Sequence, residues 1–148
     1  GSRGTGAAVA GCRARGGRVI AVGTTSLRVL ATVSALDLPS TPVPGEERRF
    51  PAGGAPPPVF DGVARATAGG WDVRGTTRLF LRPPAAVTCA DGLLTNFHLP
   101  GSSLLMLVAA FGGETVWREA YTAAIAARLR FYSYGDAMLM LPREEARP

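Results

Sequence analysis

The sequence predicts an α/β domain, and three observations carry that expectation. Arg18-Val19-Ile20-Ala21-Val22 is short, β-branched and bounded by glycines, the pattern of a buried strand. It leads through Gly23-Thr24-Thr25-Ser26 into a segment with Leu27, Leu30, Ala31 and Ser34 at helical spacing, up to about Leu36. From Thr77 onward, strand-like and helix-like segments alternate again, which is the signature of strands layered with helices.

Taken in order, residues 7–15 form a candidate helix that ends at Gly16-Gly17, a pair suited to a C-cap. The strand, turn and helix of 18–36 come next. Seven of the twelve prolines then fall between Pro39 and Pro58, with glycines and charges between them. Residues 37–75 are therefore expected to be a long, flexible, proline/glycine-rich insertion inside one domain spanning 1–148. Thr77-Arg78-Leu79-Phe80-Leu81 alternates like a strand and stops at Pro83-Pro84. Ala86 to Cys89 and Gly92 to Phe97 read as two more strands. Ser102 is placed to cap a helix running to Phe111, apolar nearly all round and so expected to be buried. Gly112-Gly113 breaks it. A second helix presents Trp117, Tyr121, Ile125 and Leu129 on one face, and Ala137 to Leu141 forms the last strand.

Bulk properties narrow the class further. The chain has 148 residues, 47% of them apolar, enough for a folded core. Leu104 to Phe111, the longest apolar run, is too short to cross a bilayer, and no signal-peptide pattern opens the chain; a cytoplasmic location with no membrane partner is the default. Cys12 and Cys89 form no CxxC pair and have one histidine for company, so two buried, reduced thiols are expected and no metal site. The net charge is +5 and all 16 basic residues are arginine. Arginine grips phosphate bidentately, which suits a nucleic-acid partner; a lysine-free, Ala-, Gly- and Pro-rich composition is equally the mark of codon bias.

Three polar clusters stand out. Gly23, Thr24, Thr25 and Ser26, with Arg28 one step on, sit at a strand-to-helix turn. Backbone N–H groups and the positive helix end there suit a carboxylate, a phosphate or a ribose edge; an ordinary helix cap is the plainer reading. Asp91 to Pro100 gathers an acid, the amide Asn96 and the sole histidine, His98. Continued alternation puts Asn96 and His98 on one face and Thr95 on the other. His98 ends a strand before a helix start, where α/β ligand sites lie, and titrates near neutrality; a satisfied core histidine is the competing reading. Phe131-Tyr132-Ser133-Tyr134-Gly135-Asp136 combines aromatics that stack on a base with a carboxylate that bonds its edge, or else core aromatics and a turn aspartate.

Together GGRVIAVGTTSLR (16–28), DGLLTNFHLP (91–100), SLLMLVAAF (103–111) and RFYSYGDAML (130–139) resemble the S-adenosylmethionine:tRNA ribosyltransferase-isomerase family of queuosine biosynthesis. Four blocks in matching order are far more specific than any single motif. The resemblance covers 16–36 and 76–141 and implies the C-terminal part of that family's large α/β domain, a mixed sheet with flanking helices and a long proline-rich loop. It implies that the family's N-terminal half, with its HxGxGTF segment, lies outside this chain, which is then expected to be a fragment. Pro83-Pro84, Arg78, Ser102-Ser103 and Gly112-Gly113 depart from the family's usual residues.

The implied activity moves and isomerises the ribosyl part of S-adenosylmethionine onto 7-aminomethyl-7-deazaguanine in tRNA, giving epoxyqueuosine, adenine and methionine. S-adenosylmethionine is then a co-substrate, no further cofactor or metal is implied, and the protein is expected to be a monomer. His98 is the candidate for proton transfer, with Asp91 or Asp136 orienting it or offsetting the sulfonium charge. Gly23, Thr24, Thr25, Ser26 and Arg28 are the candidates for holding the methionine carboxylate or ribose hydroxyls. Asn96 is the candidate for reading a base edge and Tyr132 and Tyr134 for stacking on a base, with Thr95 and Gly135 as further substrate-binding candidates. A non-catalytic fragment that binds S-adenosylmethionine or tRNA is the alternative.

Overall fold

In the computed structural model, residues 5–50 and 59–141 are described. By compactness they divide into two units, one lying within residues 1–19 and 29–79 and the other within residues 20–28 and 80–148.

In the first unit, α1 (Thr5–Ala14) ends as its glycines predict. Gly16 has φ 70°, its N–H donates to the Arg13 carbonyl, and Gly17 N–H donates to the Cys12 carbonyl, both at 2.9 Å. This is the paired bonding that satisfies the last carbonyls of a helix. The expected flexible insertion is instead an antiparallel meander of β2 (Glu47–Phe50), β3 (Phe60–Thr67) and β4 (Gly70–Thr77). The prolines lie at 39–44 and 51–58, outside all three strands, so no ladder bond is lost to them. Of the expected insertion, residues 51–58 lie outside the described residues, and residues 37–46 form a linker before β2. The strands carry a period-2 pattern that the proline content masks. Phe50, Phe60, Ala64 and Val73 occupy one face, with Phe60 and Ala64 buried. Glu47, Arg49, Arg65, Asp72 and Arg74 occupy the other and form exposed ion pairs, each worth little to stability.

The second unit is built on a three-stranded mixed sheet ordered β1 (Ile20–Val22), β5 (Gly92–Asn96), β6 (Ala137–Met140). β1 runs parallel to β5 and β6 antiparallel to it. Ala21, Leu93, Thr95, Met138 and Met140 point into the core, while Val22, Leu94 and Leu139 form a row on the opposite face. Leu27, at the start of α2 (Thr24–Ser34), is fully buried. α3 (Ser103–Gly112) supplies Leu105, Leu107, Val108 and Ala109 to the core, and Ser102 caps it as expected, its hydroxyl accepting from Leu105 N–H at 3.2 Å. Met106, at 38% exposure, shows that α3 is not buried all round.

Several boundaries differ from the sequence expectation. Thr77 to Leu81 and Ala86 to Cys89 are not strands; β4 ends where the first was expected to begin. In α4 (Glu114–Ala126) the buried face runs through Tyr121 and Ala124, whereas Ile125 is 66% exposed and Leu129 lies beyond the helix. Cys89 is buried as expected; Cys12 is half-buried.

Sheet alternation makes a direct test. Leu93→Ala is expected to cost about 2–5 kcal/mol in urea unfolding, because the fully buried side chain leaves a cavity. Leu94→Ala, one residue on and 37% exposed, should cost markedly less. Equal losses would show that the assigned inner face is wrong.

Candidate functional site

A cleft of about 610 Å³ opens in the second unit at the carboxyl ends of β1 and β5. Sheet pairing explains its position. Gly23 N–H donates to the Leu94 carbonyl at 2.8 Å, so α2 begins level with the end of β5. Asn96 pairs with Ala137, so the segment entering β6 arrives at the same edge. Two larger clefts, about 1050 Å³ beside Trp71 and about 660 Å³ beside Phe111, contain no histidine. The smaller cleft holds the sole histidine together with hydroxyls and an aromatic ring, and it carries the chemical interest.

Seven sequence candidates line this cleft: Gly23, Thr24, Thr25, Thr95, Asn96, His98 and Tyr132. Thr24 and Thr25 lie in the first helical turn, not in a separate turn before it. The N–H groups of that turn have no intrahelical carbonyl to bond, and the helix dipole makes this end positive.

His98 departs from the alternation expected for it. β5 ends at Asn96, and the chain then folds so that the His98 ring returns to Thr95, with Nε2 3.0 Å from the Thr95 hydroxyl oxygen. His98 N–H donates to the Tyr121 hydroxyl at 2.8 Å. Tyr121 is itself wedged among Phe97, Trp117 and Phe131, with ring centroids 5.3–5.8 Å apart. Tyr121 was legible in the sequence as one member of an apolar helix face; nothing local signalled that its hydroxyl would hold the histidine. Burial alone pushes the His98 pKa below its ordinary value of 6.5, by disfavouring the charged imidazolium.

Other candidates have structural duties. Asn96 Nδ2 donates to the carbonyls of Gly135 and Asp136, at 3.2 and 3.4 Å. The Asp136 carboxylate accepts the Arg130 N–H at 2.7 Å and faces the Arg130 guanidinium at 3.7 Å. That N–H bond is the main reason its pKa lies below the usual aspartate value. Gly135 packs so close to the Arg130 carbonyl that a Cβ would collide with it. These three residues shape the 130–136 loop, and the loop carries Tyr132 to the cleft. Tyr132 has φ 75°, a strained conformation for a bulky residue, held by its N–H donating to the Phe97 carbonyl at 3.0 Å. Tyr132 is 61% exposed; Tyr134, at 97%, is not part of the cleft lining.

Ser26, Arg28 and Asp91 also lie outside the lining. Asp91 precedes β5, whereas His98 comes after it. The carboxylate of Asp136 bonds to Arg130.

A family model described as queuosine biosynthesis protein matches residues 2–140. The chain belongs to that family. Among its relatives, the S-adenosylmethionine:tRNA ribosyltransferase-isomerase of Gluconobacter oxydans is 43% identical over 136 residues, 92% of this chain and 30% of the relative. The protein of the same name from Acidithiobacillus ferrooxidans is 46% identical over 137 residues, covering 93% and 31%. The crystal structure of S-adenosylmethionine tRNA ribosyltransferase from Thermotoga maritima superposes with a TM-score of 0.69 at 38% identity, over 95% of this chain and 39% of that one. The chain thus spans about 30% of the length of these curated queuosine-family relatives.

The buried histidine gives a pH prediction. A neutral His98 is favoured in the folded state, so its protonation opposes folding: stability is unaffected above the unfolded value of 6.5 and falls as pH drops below it. Because the chain has one histidine, its imidazole resonances are directly assignable by NMR. Their titration midpoint is expected below 6.5; a midpoint at or above that value would contradict the burial effect.

Proposed function

We propose that this chain carries part of the active site of a tRNA-modifying transferase of queuosine biosynthesis. The reaction transfers and isomerises the ribosyl moiety of S-adenosylmethionine onto 7-aminomethyl-7-deazaguanine in tRNA, forming epoxyqueuosine and releasing adenine and methionine. The observation that carries this reading is the convergence of the Thr24–Thr25 helix start, His98 and Tyr132 on one cleft in a chain of this family. The names borne by the relatives supply the substrates.

The chemistry makes definite demands. A proton leaves the carbon beside the sulfonium, which the positive sulfur acidifies. The substrate amine attacks in its neutral form, and adenine is protonated as it departs. Such work needs positioned acid–base groups more than a resident metal or cofactor, and we assign none. His98 is the imidazole of the cleft and serves proton handling. The α2 N-terminus, with the hydroxyls of Thr24 and Thr25, suits a methionine carboxylate or ribose oxygens. Tyr132 offers an exposed ring on which a purine or deazapurine stacks. Asn96, Gly135 and Asp136 contribute by holding the Tyr132 loop. The setting for such a reaction is the cytoplasm, where tRNA is modified.

The chain's 30% share of its relatives' length favours one second reading, a piece that binds S-adenosylmethionine or tRNA without turning it over. Incubation with S-adenosylmethionine and a deazaguanine-bearing tRNA, then mass spectrometry of the RNA and chromatography of released adenine, separates the two. The first reading requires turnover, which His98→Ala should reduce by about 10²–10⁴-fold, the usual contribution of a proton-transfer group. Calorimetric binding of S-adenosylmethionine without adenine release would establish the second reading. Undiminished turnover by His98→Ala would remove the histidine from the mechanism.

A further inference from the structure

We infer that Thr95 is a positioning residue that holds His98 in its Nδ1–H tautomer, so that the cleft meets an N–H donor where a free imidazole lone pair would otherwise stand. The argument begins with a hydroxyl. Thr95 points inward from β5, is 5% exposed, and lies 3.0 Å from His98 Nε2. Among the described residues, Nε2 is the hydrogen-bond partner of that hydroxyl.

A buried hydroxyl proton needs an acceptor, and the Nε2 lone pair is the one at hand. If Nε2 carried the ring proton, it would donate to Thr95 and leave the hydroxyl proton without an acceptor among the described residues. A lone pair left over on the threonine oxygen costs far less than a stranded donor. The ring proton of neutral His98 therefore belongs on Nδ1. Among the described residues Nδ1 has no hydrogen-bond partner, and His98 lines the cleft, so this is the nitrogen left for a ligand. The main chain cannot slide to relieve the constraint, because Tyr121 grips His98 N–H at 2.8 Å from within an aromatic cluster. Burial reinforces the neutral form by opposing the doubly protonated ring.

A fixed Nδ1–H donor suits an acceptor atom on the ligand: a heteroaromatic ring nitrogen or an anionic oxygen. Its consequence for turnover rests on the ribosyl-transfer reading above. In that reaction the departing adenine presents ring nitrogens of this kind, so His98 assists its departure by hydrogen bonding. Removal of the proton beside the sulfonium then falls to another group.

The test is two-bond proton–nitrogen NMR on the ¹⁵N-labelled protein, where one histidine gives one imidazole pattern. Above its titration midpoint, Nδ1 is expected to resonate as a protonated nitrogen and Nε2 as an unprotonated one. Thr95→Ser keeps the hydroxyl and should keep that pattern. Thr95→Val keeps the shape, removes the hydroxyl, and should shift the pattern toward the Nε2–H form that free histidine prefers. An Nε2–H pattern in the unaltered protein, or an unchanged pattern in Thr95→Val, would overturn the inference. If Thr95→Val does not fold, the spectra of the unaltered protein and Thr95→Ser still decide it. In turnover assays Thr95→Val should lower kcat with KM for S-adenosylmethionine unchanged, and Thr95→Ser should recover it. The Nδ1–H pattern in a protein that releases no adenine would refute the ribosyl-transfer reading and leave the role of Thr95 intact.

Discussion

The parallel pairing of β1 with β5 is the constraint on which the rest of the second unit depends. Val22 lies beside Leu94, and the Gly23 N–H closes the ladder onto the Leu94 carbonyl. Both strands therefore finish at the same level, and the segments leaving them emerge side by side. After β1 comes the amino end of α2; after β5 comes the turn bearing His98. β6 runs the other way, so its start, not its end, meets Asn96, and the 130–136 loop is delivered to the same edge. One register thus places three separated stretches of sequence around a single opening, at the end of the sheet where α/β proteins bind ligands.

At that opening, polar side chains divide into those that hold the backbone and those that face outward. Asn96 spends its amide on two loop carbonyls, and Asp136 spends its carboxylate on the Arg130 N–H. Their work is indirect: they keep the loop closed while Tyr132 occupies a backbone conformation that costs free energy. His98 is held at both ends, by Thr95 at the ring and Tyr121 at the main chain. A side chain fixed in this way loses little entropy when a ligand arrives, which is the advantage of a preorganised site.

The two units contrast in how openly the sequence announces them. In the second, glycine-bounded apolar runs and a serine cap state β5 and α3 almost to the residue, whereas β1, expected to be buried over 18–22, keeps three residues of which only Ala21 is buried. In the first, β2, β3 and β4 sit between proline clusters that dominate any window drawn around them. Composition averages over a segment, whereas a ladder bond is lost only where the proline itself stands. On α4, the stripe through Ile125 and Leu129 obeys helical spacing but not burial, because the helix stops at Ala126 and the core is reached by Tyr121 and Ala124 instead.

What the sequence by itself determined is family membership, the kinds of element in the second unit, and which short clusters hold the chemically able residues. These are local properties: spacing, capping and composition act within a few residues of one another. Only the tertiary structure decided which members of each cluster meet. It brought Thr95, His98 and Tyr132 to one cleft, sent Asp91 to the far end of β5, and turned Tyr134 outward. It also recruited Tyr121 from a helix 23 residues away along the chain. Those outcomes depend on strand direction, register and the partner each polar atom finds, and such long-range pairings leave no trace in any single stretch of sequence.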